Sequence, residues 1–321
     1  MRIVVLHGST VCGYHSGAPE PFPPIPSAVT VGSYDGLHVG HRKIIDTMIT
    51  RARELDLRSV LVTFEPHPRL VLDKSSACPV RLLTTIEEKI AHLEATGLDL
   101  LFVVRFDPQF AERSSQEFIR DVLVGMLGAR QIVVGYDHGF GHDRSGSGST
   151  LKSLGAEHGY EVDVVGEVFV GDEPVSSTRI RKLLVDGDVR EASACLGSPY
   201  LISGMVVDGQ KRGRQIGFPT VNIRPSHPCK MLPAKGVYVA RTVIDGKAWR
   251  AMMNIGTRPT VSDDGTVTVE AHILGYSGDL YGHQMSFQLL DFVRKEQRFA
   301  SLQELQSQLE ADKKRVELYR E

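Results

Sequence analysis

Two histidines, His38 and His41, stand three positions apart with Gly40 between them. A short apolar run precedes the stretch 32–41 and an amphipathic pattern follows it, which predicts a strand, a turn and a helix in that order. Ligands of parallel sheets bind beyond the carboxyl ends of strands, and the free N–H groups of a helix start favour anions. The glycines at 32 and 40 let a phosphate approach the backbone. The two imidazoles are therefore candidates for stabilising charge on a phosphate during its transfer; a metal site and a chance pattern are the alternatives.

A second candidate anion site lies in the stretch 175–181, which reads Val-Ser-Ser-Thr-Arg-Ile-Arg and opens a predicted helix. Ser177 and Thr178 are typical helix N-cap residues, which is one explanation of their presence. Arg179 and Arg181 have no such explanation, because cations in a first helical turn oppose the helix dipole. Hydroxyls, free N–H groups and two cations together favour a turn that binds a polyphosphate.

A glycine-spaced, basic loop covers residues 209–222. The backbone around Gly213 and Gly217 can cradle phosphates through N–H groups. Thr220 and Asn222 lie two apart before a predicted strand, so in extended chain their side chains face the same way. A hydroxyl and an amide oxygen are hard ligands suited to Mg²⁺ beside nucleotide phosphates. A flexible surface loop with an ordinary Pro-Thr turn is the alternative.

Glu270 is a candidate base. Apolar residues alternate along 267–273, so Thr268, Glu270 and His272 share the opposite face of a predicted strand. A glutamate there can remove a proton from an attacking hydroxyl, or it can be a solvated outer residue of a sheet. If it is the base, we expect it to lie near Thr220 and Asn222.

The elements that must position these residues change character along the chain. From about residue 28 to residue 187, strand patterns alternate with helix patterns, which is typical of βαβ units and a parallel sheet. The predicted strands cover 29–31, 60–64, 100–106, 131–135 and 161–170, and the predicted helices cover 44–55, 85–97, 114–128 and 151–158. Capping boxes, Thr85 with Glu88 and Ser114 with Glu117, open two of these helices. Residues 8–27, rich in Gly, Pro and Ser, are predicted as a loop.

Strand patterns without intervening helices follow a short predicted helix at 189–196. They cover 200–207, 237–244, 249–255, 266–274 and 285–293 and predict a small antiparallel barrel. A final helix should pack against that barrel through a stripe formed by Leu302, Leu305, Leu309, Val316 and Tyr319. A chain of 321 residues favours two domains, which we place at 1–187 (an α/β, Rossmann-like domain with a parallel sheet) and 188–321 (the barrel with its C-terminal helix).

Composition narrows the classes of partner. The net charge of −2 disfavours a nucleic-acid binder, which needs a basic surface to neutralise phosphates. The sequence contains neither a leader-like start nor an apolar run of the ~18 residues that cross a membrane. We therefore expect a cytoplasmic protein with no nucleic-acid or membrane partner; the sequence does not set its oligomeric state.

Several motifs of the first half resemble known proteins. His38-Val39-Gly40-His41 and Ser177-Thr178-x-x-Arg181 are similar to the His-x-Gly-His and Ser-Thr-x-x-Arg motifs of the nucleotidylyltransferase superfamily. Phe-Glu-Pro-His-Pro at 64–68 and Gly-Tyr-Asp-His-Gly-Phe-Gly at 135–141 narrow the resemblance to the FMN adenylyltransferase half of bacterial bifunctional FAD synthetases.

This resemblance implies direct attack of the FMN phosphate on the α-phosphorus of ATP, with His38 and His41 stabilising the triphosphate. The nucleotide-binding residues that it implies are Gly32, Asp35, Gly40, Ser177, Thr178 and Arg181. The flavin-binding residues that it implies in this half are Pro66, His67, Pro68, Asp137 and Phe140. Tyr34 stands where the family more often has Phe, which adds a hydroxyl in the same space.

The second half resembles riboflavin kinase, a small barrel unrelated to protein kinases. The matching stretches are 213–220, 236–238, 254–260, 279–282 and 292–294. The resemblance implies Thr220 and Asn222 as ligands of Mg²⁺–ATP and Glu270 as the base for the riboflavin 5′-hydroxyl. It also implies that Gly213 and Gly217 bind nucleotide and that Arg294 binds flavin. Val221 replaces a more common Ala, with a side chain expected to point away from the metal.

Together the two resemblances imply a bifunctional enzyme of flavin cofactor synthesis. Its substrates would be riboflavin, FMN and ATP, and its metal Mg²⁺. Three other hypotheses are open: an adenylyltransferase with a flavin-binding barrel that lacks kinase activity, an RNA-linked ligase that shares the His-x-Gly-His site, and a non-catalytic flavin carrier. Net charge and length disfavour the ligase, and the combined motifs disfavour the carrier.

Overall fold

The computed structural model describes residues 1–136, 139, 148–209, 213, 216–257 and 267–320. Its chain forms two compact units. The first consists of Met1–Val80 and Lys89–Val175, and the second of Arg81–Glu88 and Ser176–Glu321.

A seven-stranded sheet organises the first unit. Its strands are β1 (Arg2–His7), β2 (Thr10–Gly13), β3 (Ser27–Val31), β4 (Arg58–Glu65), β5 (Leu100–Arg105), β6 (Ala129–Gly135) and β7 (Glu161–Val165), in the spatial order β2-β1-β5-β4-β3-β6-β7. All neighbours are parallel except β1 and β2. The central strands β3, β4 and β5 are buried almost throughout, as expected for apolar runs covered on both faces. A small hairpin of β8 (Phe169–Val170) and β9 (Glu173–Pro174) follows the sheet.

Helices connect the strands of this sheet. They are α1 (Val39–Glu54), α2 (Pro68–Leu72), α3 (Ile86–Glu94), α4 (Pro108–Ala111), α5 (Ser115–Glu117), a π-helical segment (Phe118–Met126) and α6 (Gly148–His158). Both predicted capping boxes are confirmed: Thr85 and Glu88 exchange side-chain and backbone hydrogen bonds before α3, and Ser114 and Glu117 do so at α5. The face of α1 that packs on the sheet carries Ile45, Met48, Ile49 and Ala52.

The order of the strands determines where a ligand crevice opens. From β3 the chain moves through β4 to β5 in one direction, and β6 and β7 then lie on the other side of β3. The connections therefore diverge at the carboxyl ends of β3 and β6, which is the switch point at which open α/β sheets bind ligands. The segment that carries His38 begins at this edge of the sheet.

A closed barrel forms the centre of the second unit. Two helices, α7 (Ser177–Asp186) and α8 (Val189–Leu196), precede its strands, and a long helix, α9 (Leu302–Leu318), follows them. The strands are β10 (Tyr200–Val207), β11 (Val221–Pro225), β12 (Gly236–Ile244), β13 (Lys247–Thr257), β14 (Val267–Ile273) and β15 (Gln284–Lys295). They close in the order β10-β11-β14-β13-β12-β15 with antiparallel neighbours.

α9 packs on the outside of the barrel. Val316 is fully buried against Val237, Val239 and Met252, with Leu309 and Tyr319 beside it. Leu302, the first residue of the predicted stripe, is instead 71% exposed, so its assignment to the packing face was wrong.

The predicted fold class, a parallel α/β sheet followed by an antiparallel barrel with a C-terminal helix, is confirmed. Several elements differ from the prediction, among them the barrel strand β11, which is missing from the predicted strands, and two strands of the first unit. Thr10–Gly13, inside the predicted loop 8–27, is a strand because it pairs with β1 in a hairpin. The predicted strand 161–170 is two strands, β7 and β8, of which only β7 belongs to the main sheet.

Candidate active sites

The turn after β3 is built from strained backbone. Tyr34 and Leu37 adopt left-handed φ angles of 46° and 43°, and Gly36 has φ 93°. Conformations of this kind are costly for non-glycine residues and persist where the surroundings enforce them, often at functional sites. A side chain at Gly32 would meet the Tyr34 ring at 3.1 Å, so glycine lets this ring fold back over the strand end.

The hydroxyl of Tyr34 explains how tyrosine is tolerated in this buried position. The Thr30 hydroxyl donates to the Val133 carbonyl over 2.7 Å, so Tyr34 is the donor in its own hydrogen bond to Thr30. Burial raises the pKa of Tyr34, which keeps this hydroxyl protonated. The tyrosine therefore contributes a hydrogen bond between the turn and β3.

His38 and His41 form a stacked pair at the start of α1. His38 is the N-cap of the helix, and its Nδ1 accepts a hydrogen bond of 3.3 Å from the backbone N–H of His41. The two rings lie 3.6 Å apart at an angle of 17°. A side chain at Gly40 would come within 3.2 Å of the His38 ring, which accounts for the glycine between the histidines. Because Nδ1 of His38 is an acceptor, the neutral ring carries its proton on Nε2 and retains a donor there.

Burial makes both imidazoles neutral at pH 7. Desolvation lowers the pKa of His38 to about 4, against an opposing effect of Asp35. Desolvation, followed by the charges of His38 and Lys89, holds the pKa of His41 well below its ordinary value. The buried Nδ1 atom of His41 has no hydrogen-bond partner among the described residues. A buried polar atom of this kind costs free energy for as long as it has no partner.

Lys89, which the sequence analysis did not single out, lies under this turn. Its side chain is buried, and its Nζ donates to the Ser33 carbonyl (2.7 Å) and to the Thr63 hydroxyl (3.0 Å). Burial lowers the pKa of Lys89, and the carboxylates of Asp35 and Glu65 oppose that shift. Asp35 itself is only 5% exposed. The predicted nucleotide-binding residues Gly32, Asp35 and Gly40 therefore share one site with the two histidines and with this ammonium group.

The Pro-His-Pro stretch follows β4 at the same edge of the sheet. A cis peptide bond joins Glu65 to Pro66, and His67 caps α2 by accepting from the Arg69 N–H over 3.2 Å. Pro66 is exposed, and His67 and Pro68 are half-buried. Phe64 belongs to an aromatic cluster with Phe106, Phe110 and Phe118. Two other predicted flavin-binding residues, Asp137 and Phe140, lie outside the described residues.

In the second unit, α7 presents the Ser-Thr-x-x-Arg residues in its first turns. The N-cap is Ser176, whose hydroxyl accepts from the Arg179 N–H over 3.2 Å. Capping therefore does not explain Ser177 and Thr178, which are the first two residues of the helix. The Thr178 side chain is exposed.

The two arginines of α7 are held differently. Arg179 pairs with Glu191 of α8 at 2.8 Å and is thus engaged in holding the two helices together. Arg181 donates through Nε to the Arg81 carbonyl over 2.8 Å, so its guanidinium is anchored to the segment Arg81–Glu88 of the same unit. Of the two cations that were predicted to approach a polyphosphate, Arg179 already has a carboxylate partner.

A row of residues runs across five barrel strands through Glu270. Glu270 lies on β14, where it is paired with Asn222 of β11 on one side and with Asn254 of β13 on the other. Val237 of β12 lies opposite Asn254, and Arg294 of β15 lies opposite Val237. The expected proximity of Glu270 and Asn222 is confirmed at the level of strand pairing. Asn254 was not predicted, because only the register of β13 and β14 shows that it flanks the glutamate.

This row lies on the outer face of the barrel, where α9 packs. Val239, Met252 and His272 are paired across their strands, and each lies two residues from a member of the row. Residues two apart on a strand share a face, so these three lie on the same face as the row. Val239 and Met252 belong to the core under α9. His272 is buried, its ring lies 5.3 Å from that of Phe218, and its Nδ1 lies 2.8 Å from the Pro219 carbonyl. Glu270 is thus half-buried beside the loop before β11 rather than on a fully solvated surface.

Two glycines bring the loop backbone against the predicted metal ligands. A side chain at Gly209 would overlap the Asn222 amide, at 2.0 Å from Nδ2, and one at Gly213 would lie 2.2 Å from the Phe218 carbonyl and 3.6 Å from the Thr220 hydroxyl. Gly217 has φ 83° with open space around it. A hydroxyl, an amide oxygen and a carboxylate beside a glycine-lined loop form a donor set that fits a hard divalent cation.

Arg294 has a structural partner. Its guanidinium pairs with Asp312 of α9 at 2.8 Å and also donates from Nε to the same carboxylate. Asp312 is 2% exposed, so the pair fixes α9 to the barrel wall. Three strand spacings separate Arg294 from Glu270 along the row, a distance of roughly 14 Å. Arg294 therefore does not adjoin the candidate base.

Comparison with known proteins assigns each half of the chain to a protein family. Residues 23–179 match the family model of FAD synthetase, and residues 196–319 match that of riboflavin kinase. Bifunctional riboflavin kinase/FMN adenylyltransferases are similar over most of their length. The protein from Pseudomonas fluorescens is 37% identical (88% of this chain, 89% of the relative), that from Listeria monocytogenes 33% (97% and 96%), and that from Escherichia coli K12 38% (88% and 90%).

The chain belongs to this bifunctional family. A crystal structure described as a macrolide-efflux protein from Streptococcus pneumoniae is also similar to this chain, with a TM-score of 0.85, 31% identity and 100% coverage of both chains. That likeness supports the two-unit fold, whereas the family assignment rests on the two family models and on the bifunctional relatives. Within the described ranges, no helix combines the length and the hydropathy that crossing a membrane requires.

Proposed function

We propose that the two units catalyse consecutive reactions. The second unit transfers the γ-phosphoryl group of ATP to riboflavin and yields FMN, and the first unit transfers the adenylyl group of a second ATP to FMN and yields FAD and pyrophosphate. The observation that supports this most directly is that each unit holds its own group of polar side chains: an uncharged, stacked histidine pair at the switch point of the first sheet and the Glu270–Asn222 pair on the barrel.

Adenylyl transfer requires positioning and charge stabilisation rather than a covalent intermediate. An oxygen of the FMN phosphate attacks the α-phosphorus of ATP, and the bond to the pyrophosphate oxygen breaks. His38 offers Nε2–H, and His41 offers a ring N–H, to the phosphate oxygens. The approach of a polyanion raises the pKa of both imidazoles, which favours donation to the leaving group.

Other residues predicted from the sequence also have roles in our proposal. Ser177, Thr178 and Arg181 bind the β- and γ-phosphates of ATP, and the free N–H groups at the start of α7 favour such an anion. The backbone at Gly32 and Gly40 admits the nucleotide. The flavin lies along the stretch 66–68 and, as the sequence predicts, Asp137 and Phe140.

Riboflavin phosphorylation uses a carboxylate base. Glu270 accepts the proton of the riboflavin 5′-hydroxyl while that oxygen attacks the γ-phosphorus, and ADP leaves. Thr220 and Asn222 would hold Mg²⁺, which neutralises charge on the ATP phosphates when bound. The loop around Gly213 and Gly217 approaches those phosphates with its N–H groups. Arg294 remains a proposed flavin contact, which would act while paired to Asp312.

The test is chromatography of the flavins formed from riboflavin, ATP and Mg²⁺. We expect FMN first and FAD later. FMN alone would confine catalysis to the barrel. If there is no product from riboflavin but FAD from added FMN, the chain is a lone adenylyltransferase with a flavin-binding barrel; no turnover of either flavin would favour the carrier.

Two single-site variants assign the reactions to the units. Glu270→Gln should lower FMN formation from riboflavin by at least ~100-fold and leave FAD formation from added FMN unchanged, because only the base is lost. His41→Ala should give the converse pattern. Loss of both activities in either variant, with the fold intact, would contradict the assignment of separate sites.

A further inference from the structure

We propose that Lys89 is a positioning residue of the adenylyl-transfer site. Its ammonium group holds the Ser33 carbonyl and the Thr63 hydroxyl and thereby fixes the strained turn that carries His38 and His41 to the phosphates. This inference rests on the proposed adenylyltransferase function of the first unit.

The first step of the argument is the cost of burying this side chain. Lys89 is 5% exposed, and lysine is almost never buried to this degree unless it is paired. The groups that face it come from three elements: Asp35 and Ser33 from the turn after β3, Thr63 and Glu65 from the end of β4, and His41 from α1. The fold thus surrounds one cation with every segment that builds the histidine site.

The second step concerns the backbone that the ammonium group contacts. Ser33 lies directly before Tyr34, the first residue with a left-handed φ, and three of the four residues 34–37 have positive φ. Thr63 also donates to the Ser33 carbonyl over 3.3 Å, so that carbonyl accepts two hydrogen bonds from the interior. These bonds oppose relaxation of the turn, because release of Ser33 would free the chain that leads to the N-cap His38.

The third step concerns charge. Asp35 and Glu65 place two carboxylates close to a site that must bind a triphosphate. The Lys89 ammonium group, which both carboxylates influence, offsets this negative charge from its buried position. Lys89 therefore both orients the turn and keeps the local potential compatible with a polyanion.

The experiment compares Lys89→Met and Lys89→Gln with wild type in the full chain. Methionine keeps the side chain as far as the fourth atom, without donors or charge, whereas glutamine retains an N–H donor. We expect Lys89→Met to lower kcat for FAD formation from FMN by roughly 100-fold, the scale of a 1 Å misplacement, with the KM for ATP changed less than threefold. Lys89→Gln should recover part of that loss. Lys152→Met, at an exposed lysine of α6, is the matched control.

The same preparations report on folding and on geometry. FMN formation from riboflavin should stay within twofold of wild type in every variant, which shows that the second unit is folded, and an unchanged circular dichroism spectrum should show the same for the first unit. NMR of ¹³C-labelled histidine side chains should show shifts of the His38 and His41 resonances in Lys89→Met and in Lys89→Gln but not in Lys152→Met.

The outcomes separate this inference from the proposed function. If wild type forms no FAD, the adenylyltransferase function fails, and the histidine resonances still decide whether Lys89 positions the pair. Wild-type kcat in Lys89→Met, a loss confined to the KM for ATP, or unchanged His38 and His41 resonances would each overturn the positioning role. If Lys89→Met does not fold, Lys89→Gln with the same two readouts decides the question.

Discussion

His38 and His41 lie against each other with little access to water, and burial sets the protonation state of both rings. A free imidazole titrates near pH 6.5, but desolvation lowers the pKa of His38 to about 4. The unfolded chain therefore binds a proton at His38 between pH 6.5 and pH 4 that the folded chain does not bind. Stability must fall as the pH falls through this window, because protons favour the state that binds more of them.

His38→Gln should reduce this sensitivity to acid. At pH 7 the ring is mostly neutral in both states of wild type, so the proton linkage contributes little there. By pH 4 proton binding lowers the free energy of unfolding of wild type by up to about 3 kcal/mol, a loss that His38→Gln avoids. Urea unfolding of the first unit, followed by circular dichroism at pH 7, 6 and 5, measures the difference. His7→Gln, at an exposed histidine, is the control; equal loss of stability in wild type and His38→Gln would contradict the burial argument.

The candidate site residues differ in how far the sequence could predict them. The spacing of His38, Gly40 and His41 is local, and the helix N-cap geometry that uses it is local as well, so the motif could be found. Lys89 and Asn254 were missed because their roles arise from tertiary contacts. Lys89 occupies a position in the first turns of an amphipathic helix that is usually solvated, and Asn254 flanks Glu270 only through the register of two strands.

At the scale of elements, the hydroxyl residues at the start of α7 can either cap the helix or contact a ligand, and the sequence alone does not assign these two functions to particular residues. Three hydroxyl residues in succession precede Arg179, and any of them can cap a helix. The structure gives the cap to Ser176 and leaves the exposed Thr178 at the second helical position. Stability and ligand binding should therefore depend on different residues of this turn.

Ser176→Ala and Thr178→Ala form a matched pair that tests this division. Loss of the cap in Ser176→Ala should lower the free energy of unfolding by about 1 kcal/mol. Thr178→Ala should leave stability within about 0.5 kcal/mol of wild type, since exposed positions contribute little, and it should raise the KM for ATP in FAD formation. Denaturant unfolding and steady-state kinetics on both variants give the comparison, and the reverse pattern would assign the cap to Thr178.

Local signals predicted most elements, and long-range pairing explains the exceptions. The capping boxes before α3 and α5 and the apolar runs of β4 and β5 depend on neighbours in sequence. Thr10–Gly13 is only four residues long and becomes a strand because it pairs with β1 in a hairpin. The exposed Leu302 shows the same limit, because helical spacing alone does not reveal where α9 first meets the barrel.

At the scale of the whole molecule, two segments depart from the division that the sequence suggests, because Arg81–Glu88 and residues 176–187 both belong to the unit that contains the barrel. The proposed boundary at 187/188 lies between the two family matches, which end at residue 179 and begin at residue 196. By compactness, however, Arg81–Glu88 belongs with the barrel. Its sequence continues the strand–helix rhythm of the first half, so nothing local indicates this packing. The contacts that explain it are polar and distant in sequence.

Those contacts form a buried network around Lys230. Its Nζ lies 2.5 Å from Glu88 Oε2, donates to the Leu83 carbonyl over 2.6 Å, and stands 4.6 Å from the centre of the Tyr200 ring. The Ser203 N–H donates to the other oxygen of Glu88 over 3.0 Å. Both charged side chains are 1% exposed. Removal of one partner from such a pair leaves an uncompensated buried charge, whereas removal of both can be nearly neutral.

Lys230→Met should consequently have different effects in two chain lengths. In the full chain it leaves Glu88 buried without its cation and should lower the free energy of unfolding of the barrel by about 3–5 kcal/mol. A fragment of residues 188–321 lacks both Glu88 and the Leu83 carbonyl that contact Lys230, so the same change leaves no buried charge unpaired and should alter stability by no more than about 0.5 kcal/mol. Trp249, the single tryptophan of the chain, lies in β13 and reports barrel unfolding by fluorescence.

Two further variants make this difference interpretable. Glu88→Gln combined with Lys230→Met in the full chain should recover most of the stability that Lys230→Met loses, because no buried charge then remains. Lys235→Met, at an exposed lysine, should change neither chain length by more than about 0.5 kcal/mol. A loss of equal size for Lys230→Met in the full chain and in the fragment would mean that Lys230 acts by packing on Tyr200 rather than through Glu88. The segment Arg81–Glu88 would then be dispensable for the barrel, and the boundary at 187/188 would describe folding as well as function.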